Sequence, residues 1–263
     1  MAKADLVLLH APSVYDFRET SIMYGPVSDL VPSSPIFEMY PLGFTTIGEY
    51  LERHGLHVKL VNLAVLMLSK ARFDVEKAIR EMDPHVFGID LHWMPHAHGS
   101  IEIARLCKKS HPDTPGVFGG LTASYFHEEL AGYDCVDYVL RGDSTEEPFT
   151  KLVYALKRGG SVADIPNLTY KDASGAIVVN PFSYVPPTFD HVKLDYSFSM
   201  RSVIRSRDMS SALPFKDWLS YPVTASLTCR GCTRNCVTCG GSATAFREHF
   251  GRDRVAFRDP ELL

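Results

Sequence analysis

The chain has 263 residues, 45% apolar and 22% charged, with a formal net charge of -4, the balance of a soluble globular protein of one large domain or two modest ones. That charge excludes a basic footprint for nucleic acid, and no apolar run reaches the roughly 18–20 residues of a membrane-spanning helix. The opening MAKADLVLLHAP lacks the n-region and cleavage site of a secretory signal, so a cytoplasmic location is expected, where clustered cysteines serve as metal ligands or redox groups more often than as disulfides.

In chain order, DLVLLHAP (5–12) reads as a buried strand, PLGFTTIGEYLERHG (41–55) as a helix with a glycine stop, and LHVKLVNL (56–63) as the second strand. FDVEKAIREMDP (73–84) is an amphipathic helix, HVFGIDLHW (85–93) a third strand and HGSIEIARLCKKSHP (98–112) a helix. TPGVFGG (114–120), SYFHEELAG (124–132), CVDYVLRGD (135–143) and TEEPFTKLVYALKRGG (145–160) complete the alternation as strand, helix, strand, helix. Strands alternating with helices predict an α/β fold with a parallel sheet covered on both faces. Right-handed crossovers leave a doubly wound arrangement, and the expected form is flavodoxin-like, five strands in the order 2-1-3-4-5. Ligands of such a sheet sit beyond the carboxyl ends of the strands, at the switch point between strands one and three.

The loops leaving those ends are 10–16, 91–98, 119–124 and 141–146. The stretch from 13 to 40 has no clear periodicity and carries Pro, Gly and Ser punctuation, as a lid over a ligand would. After residue 160 the pattern changes. IPNLTYKDASGAIVVNP (165–181) reads as a β-hairpin about a KDASG turn. A Pro- and Ser-bearing stretch from 182 and a polar one from 201 then read as a linker, and YPVTASLT (221–228) as a fresh strand. The expected organisation is a ligand-binding domain over 1–160, a hairpin and linker over 161–218, and the start of a second domain over 219–263.

LTCRGCTRNCVTCGG (227–241) holds four of the six cysteines, Cys229, Cys232, Cys236 and Cys239. Zinc knuckles are usually separated by a dozen or more residues, and three intervening residues are too few for two knuckles facing one ion. An iron–sulfur cube suits close thiols better, although bacterial ferredoxins use a different order with a following Pro. Cys232, Cys236 and Cys239 spell C-x3-C-x2-C. Three thiolates on four irons leave one iron open, and an open position is what separates a catalytic metal centre from a structural one.

Here the chain closely resembles the radical S-adenosylmethionine (radical SAM) superfamily, on the approach YPVTASLTCRGCTRNCVTC. The resemblance implies a 4Fe-4S cluster on Cys232, Cys236 and Cys239. Its free iron would chelate S-adenosyl-L-methionine and cleave it reductively to a 5′-deoxyadenosyl radical, with electrons from a flavodoxin or ferredoxin. Cys229 stands where Ser or Thr is more usual, and reads either as a small residue ending the strand or as a spare thiol. Gly240-Gly241 look like part of the family's SAM-binding Gly-Gly-Glu motif, but no Glu follows, and they read as loop flexibility.

The resemblance extends backwards. A flavodoxin-like domain before CxxxCxxC, with YPLGFTTIGEYLERHGLHVKLVNL, VFGIDLHW, VFGGLTAS and YVLRGDSTEEPFTKL, looks like the cobalamin (B12) domain of class B radical SAM enzymes. It implies cobalamin contacts from Ser13, Leu91, His92, Trp93, Gly119, Gly120, Thr122, Ser124, Arg141 and Gly142. Among these, Gly119 and Gly120 would let a bulky nucleotide tail approach the backbone. The Asp-x-His-x-x-Gly motif that carries a lower cobalt ligand is absent after strand one, and DLHWMP (90–95) imitates only half of it. His92 is read either as facing the cofactor or as a loop histidine, and Trp93 as packing on the corrin or in a domain interface. His92, His96 and His98 lie close enough in sequence to suggest a metal site, with no element to fix their geometry. Cys107 and Cys135 read as core residues; Asp143, Glu146 and Glu147 read as the start of the next helix.

The expected function of the intact enzyme is methyl transfer from methylcobalamin to an unactivated atom of a small-molecule or peptide substrate. The chain corresponds to the B12 domain, the hairpin and the first βα unit of a (β/α)6 partial barrel, and by itself is expected to be truncated and inactive. Two alternatives remain: a non-catalytic cobalamin- or metal-binding sensor module, and a radical SAM enzyme whose flavodoxin-like domain holds no cobalamin.

Overall fold

Strand β1 (Ala4–His10) is buried along nearly all its length. Its side chains alternate between two cores, Val7 and Leu9 entering one and Leu6 and Leu8 the other. In this computed structural model, which describes residues 3–19, 38–195, 197–223 and 225–262, β1 is flanked in parallel by β2 (Val58–Asn62) and β3 (Pro84–Asp90). The parallel ladder continues through β4 (Gly116–Gly119) to β5 (Tyr138–Leu140). The strand order 2-1-3-4-5 is the expected one. The hairpin of β6 (Leu168–Lys171) and β7 (Ile177–Val179) joins the same sheet, antiparallel to β5 through Tyr138 and Tyr170.

On one face, Val7, Leu9, Phe87 and Phe118 pack under α2 (Leu63–Ser69), α3 (Val75–Arg80) and α4 (Ala97–Ser110). On the other, Leu6, Leu8, Val86 and Val117 pack under α1 (Leu42–Arg53) and α7 (Glu146–Arg158). Short helices α5 (Leu121–Tyr125) and α6 (His127–Ala131) fill the β4 to β5 crossover, where one helix was expected. Gly159, with φ of 64°, ends α7 in the left-handed conformation that glycine takes without steric cost. Among the described residues no helix is long and apolar enough to cross a membrane.

Three readings are corrected. The second strand stops at Asn62, whose side chain accepts from the Val65 amide at 3.0 Å and starts α2; in LVNLAVLML, apolar but for Asn62, the strand runs into the helix without a loop, which hid this boundary. The polar stretch after 200 is not a plain linker: α8 (Ser197–Ser206) docks on α1 through the fully buried Phe198 ring. The ring lies over Gly48, where any Cβ would collide with it. The strand expected at 221–228 does not form among the described residues of that stretch. The ladder here is the two-residue β8 (Cys229–Arg230) paired antiparallel with β9 (Ala256–Phe257), because a strand exists only where a neighbour satisfies its backbone. Helix α9 (Ala243–Phe250) follows the cysteines, capped by the Ser242 hydroxyl. The lid expected over 13–40 lies, for residues 20–37, outside the described residues.

Candidate functional site

Beyond the carboxyl ends of β1, β3, β4 and β5, on the α1 and α7 side of the sheet, lies a cavity of about 440 Å³, within the size range of small-molecule sites. Its floor exists because glycines occupy strand positions. Gly88 takes the β3 site between Leu8 and Val117, and a Cβ there would come within 2.8 Å of Leu8. At Gly119 a Cβ would meet nothing nearer than 3.9 Å, so this residue borders open space. Gly120 differs: its φ is +113°, and a Cβ would stand 2.7 Å from the Leu91 carbonyl oxygen. Only glycine lets the β4 loop close against the β3 loop, and the Leu91 and Ala123 amides then bond across that junction at 2.7 and 3.0 Å.

Of the ten residues expected to touch cobalamin, His92, Gly119, Gly120 and Gly142 line this cavity. The other six lie outside its wall. Leu91 is in the core. The Thr122 hydroxyl donates to the His92 carbonyl at 3.1 Å. The Ser124 hydroxyl donates to the Gly120 carbonyl and accepts from the Gly142 amide, both at 2.9 Å, so it binds two loops together. The Arg141 guanidinium is buried, donates to the carbonyls of Asn167 and Asn180 and lies over the Phe182 ring. Ser13 bonds Glu38 through both its amide and its hydroxyl. Trp93 is half exposed.

The cysteine-bearing segment forms the far wall through Leu227, Cys229, Arg230 and Gly231. Arg230 fixes it there. Its guanidinium donates to both carboxylate oxygens of Glu146, at 2.9 and 3.4 Å, and lies over the Phe189 ring. The Thr46 hydroxyl of α1 donates to the same carboxylate at 2.8 Å. Burial raises the Glu146 pKa, but the Arg230 charge and the contacts to His191 and Arg230 together outweigh it and hold this carboxyl well below the usual carboxylate range. A second buried bridge runs from Arg252 Nη2 to Asp143 Oδ1 at 2.9 Å. Asp143 and Glu146 therefore do more than open α7; they anchor the segment after residue 226. Glu147, paired with Lys151 one turn on, keeps the helical role expected of it.

Cys232 is partly exposed, and Cys229, Cys236 and Cys239 are exposed. Backbone turns hold the loop in shape: the Cys239 amide donates to the Cys236 carbonyl, and the Arg234 amide donates to the Cys232 Sγ. Among the described residues, the groups whose ligand atoms converge within 4.8 Å are both histidine–carboxylate groups, and neither contains a cysteine. The four thiols thus do not converge on one point as a single-ion cage requires. Cys107 and Cys135 lie in the core as expected, and burial pushes the Cys107 thiol far up.

A feature missed in the sequence stands beside the cavity. His10 and Asp90 end the neighbouring strands β1 and β3, which are in register through Leu9 and Ile89. The His10 ring therefore meets the Asp90 carboxylate, with Nδ1 at 3.0 and 3.1 Å from its oxygens. His92 Nδ1 reaches the same carboxylate at 2.7 Å. Burial opposes charge on His10, but Asp90 and Glu38 together hold its pKa above the imidazole range; burial likewise opposes charge on Asp90, yet the two histidines hold it below the carboxylate range. His96 comes up from a 3-10 turn (Met94–His96), with Nε2 3.4 Å from Glu38 Oε2. Of the histidine trio expected from spacing, His92 and His96 do come together, but His98 instead accepts the Tyr15 amide. The signal available in the sequence was a titratable residue at the last position of each of two adjacent strands.

Residues 33–152 match the family model for the B12 binding domain. Over 227 residues the chain is 26% identical to the hopanoid C-3 methylase of Methylococcus capsulatus, covering 81% of this chain and 38% of that protein. It is 24% identical to the cytidylyl-2-hydroxyethylphosphonate methyltransferase of Streptomyces wedmorensis, covering 82% of this chain and 48% of that one. The chain therefore spans less than half the length of either relative. Its fold is shared with the radical SAM methyltransferase TsrM from Kitasatospora setae, solved with cobalamin and a 4Fe-4S cluster, at a TM-score of 0.63 and 19% identity over 97% of this chain and 44% of that one. The resemblance to a cobalamin-binding domain carried by the sequence thus recurs in the domain match, and the α/β fold is the one expected.

Proposed function

We propose, from the premise that the chain carries a B12 binding domain, that it forms the cobalamin-binding part and the cluster loop of a cobalamin-dependent radical SAM methyltransferase. One juxtaposition carries this reading: the glycine-lined cavity at the strand ends is walled by the segment that bears Cys229 and leads into CxxxCxxC.

The cavity suits a bulky, largely apolar group with polar ends. Gly88 and Gly119 leave room at the sheet, Leu42, Ile47 and Phe149 supply apolar walls, and His92 adds an imidazole to the lining, its Nδ1 held by Asp90. These residues would hold cobalamin. Cys232, Cys236 and Cys239 would hold a 4Fe-4S cluster, and their exposure leaves the thiols accessible. When bound, these groups supply a methyl carrier and, with S-adenosyl-L-methionine, a radical generator; the protein supplies position and environment. Arg230 contributes by position. Two residues before Cys232 it is clamped on Glu146, so the start of the cysteine loop is tied to the cavity wall by an ion pair rather than by a long flexible arm. Gly231, with φ of +98°, makes the turn between them.

The test has two readouts. Mixing the chain with hydroxocobalamin and desalting should leave corrin absorbance with the protein. Anaerobic reconstitution with iron and sulfide should give about four irons per chain. Absence of retained corrin would leave a radical SAM protein with an empty flavodoxin-like domain. Bound zinc at the cysteines with no iron uptake would overturn the radical SAM assignment.

A further inference from the structure

Of the histidine–carboxylate cluster at the ends of β1 and β3, only His92 and its partner Asp90 enter the reading above; His10, Glu38 and His96 do not, yet they are built as a metal site is built. One ligand atom from each of His10, Glu38 and His96 lies within 4.8 Å of the other two, and all three residues are fully buried. His10 shows the arrangement typical of a metal-ligating histidine, one ring nitrogen bound to a carboxylate and the other left over. Its Nδ1 faces Asp90, and its Nε2 is buried without a hydrogen bond. Glu38 is itself oriented, because the Ser13 hydroxyl and amide donate to its carboxylate at 2.7 and 3.1 Å. The rings of His10, His92 and His96 stand 5.3–6.0 Å apart, centre to centre. Two carboxylates, Glu38 and Asp90, lie beside the rings of His10 and His96, and these four residues are shielded from water, which makes a place that favours a cation.

We propose that His10, His96 and Glu38 form a binding site for a divalent transition metal ion, separate from the cysteine loop, with Asp90 and Ser13 orienting the ligands. Two imidazoles and one carboxylate are a donor set taken by Zn²⁺ and by Fe²⁺. The ligands come from the end of β1, from the turn before α4 and from residue 38, so the ion would fasten the chain preceding α1 to the switch point of the sheet.

The test uses the full chain with Cys232, Cys236 and Cys239 changed to Ala, so that thiolates do not contribute, and without cobalamin or S-adenosyl-L-methionine. Dialysis against zinc followed by elemental analysis should leave about one zinc per chain. Co²⁺ in its place should give visible ligand-field absorption with no thiolate charge-transfer band. Glu38→Gln and His10→Gln should each abolish retention, and Asp90→Asn, which spares the ligands, should weaken zinc affinity about 10- to 100-fold. Circular dichroism checks that each variant folds, and zinc should raise the melting temperature of the parent chain, less that of Asp90→Asn, and not that of Glu38→Gln or His10→Gln. Retention of zinc by a folded Glu38→Gln protein, or no zinc held by the folded parent, overturns the proposal. Corrin binding and iron uptake are measured separately, so either result leaves the proposed function standing.

Discussion

Arg230 and Glu146 form a buried ion pair across 84 residues of sequence, with 11% and 2% of their side chains exposed and the guanidinium bridging both carboxylate oxygens. The pair joins the strand that delivers the cysteines to the helix that covers the sheet. Removing one partner of such a pair strands the other charge away from water. Glu146→Gln is expected to destabilise the chain by about 3–5 kcal/mol, read from urea unfolding; a cost within error of zero would mean that the segment is not held by this contact.

The same carboxylate sets an acid limit. Burial pushes its folded-state pKa up, but Arg230 and the His191 contact together bring it below the ordinary value. The stability it contributes is therefore complete above the unfolded value of about 4.3 and is lost as pH falls below that toward the folded value. Urea midpoints measured down a pH series should fall over that acid range in the parent chain, and less steeply in Glu146→Gln.

Two adjacent glycines should behave oppositely. Gly120→Ala forces a side chain into a positive-φ backbone and against the Leu91 carbonyl, for an expected loss of about 1–3 kcal/mol. Gly119→Val faces open space and should leave the unfolding midpoint nearly unchanged while weakening cobalamin binding roughly tenfold or more, about 1.4 kcal/mol. Titrating both variants with hydroxocobalamin separates the effects, and unchanged affinity in Gly119→Val would place the cofactor elsewhere.

Cysteine substitution distinguishes three ligands from the outlier. Cys232→Ala, Cys236→Ala and Cys239→Ala should each lose cluster iron on anaerobic reconstitution, whereas Cys229→Ala should keep it. Iron analysis with electron paramagnetic resonance of the reduced protein reads this directly. Iron loss in Cys229→Ala would make it a fourth ligand and remove the open position on which SAM binding depends.

Phe198 tests whether α8 belongs to the sheet's core. Its ring is fully buried against Gly48 of α1. Phe198→Ala should cost about 3–5 kcal/mol in the same urea assay. A surface-like effect of a few tenths would return residues 197–206 to the linker expected from their polar sequence.

Five strands and their parallel order were legible from the sequence, because short apolar runs, helical periodicity and glycine stops are local properties. The cysteine loop was legible from spacing, and the place of Gly119 and Gly120 at a strand end beside the cavity from the strand pattern. What surrounds these features was not. His10 meets Asp90 only because β1 and β3 are in register; Ser124 and Arg141, polar residues at the right loops, turn out to bond backbone. Helix α8 hid in a polar stretch because its anchor is one aromatic ring, and the strand expected at 221–228 lacked a neighbour to pair with. Periodicity, composition and motif spacing are written along the chain, so the sequence by itself determined the layers, the sheet order and the thiol loop. Which buried charge faces which partner depends on strand register and on surfaces meeting across 80 residues or more, and only the tertiary structure decided that.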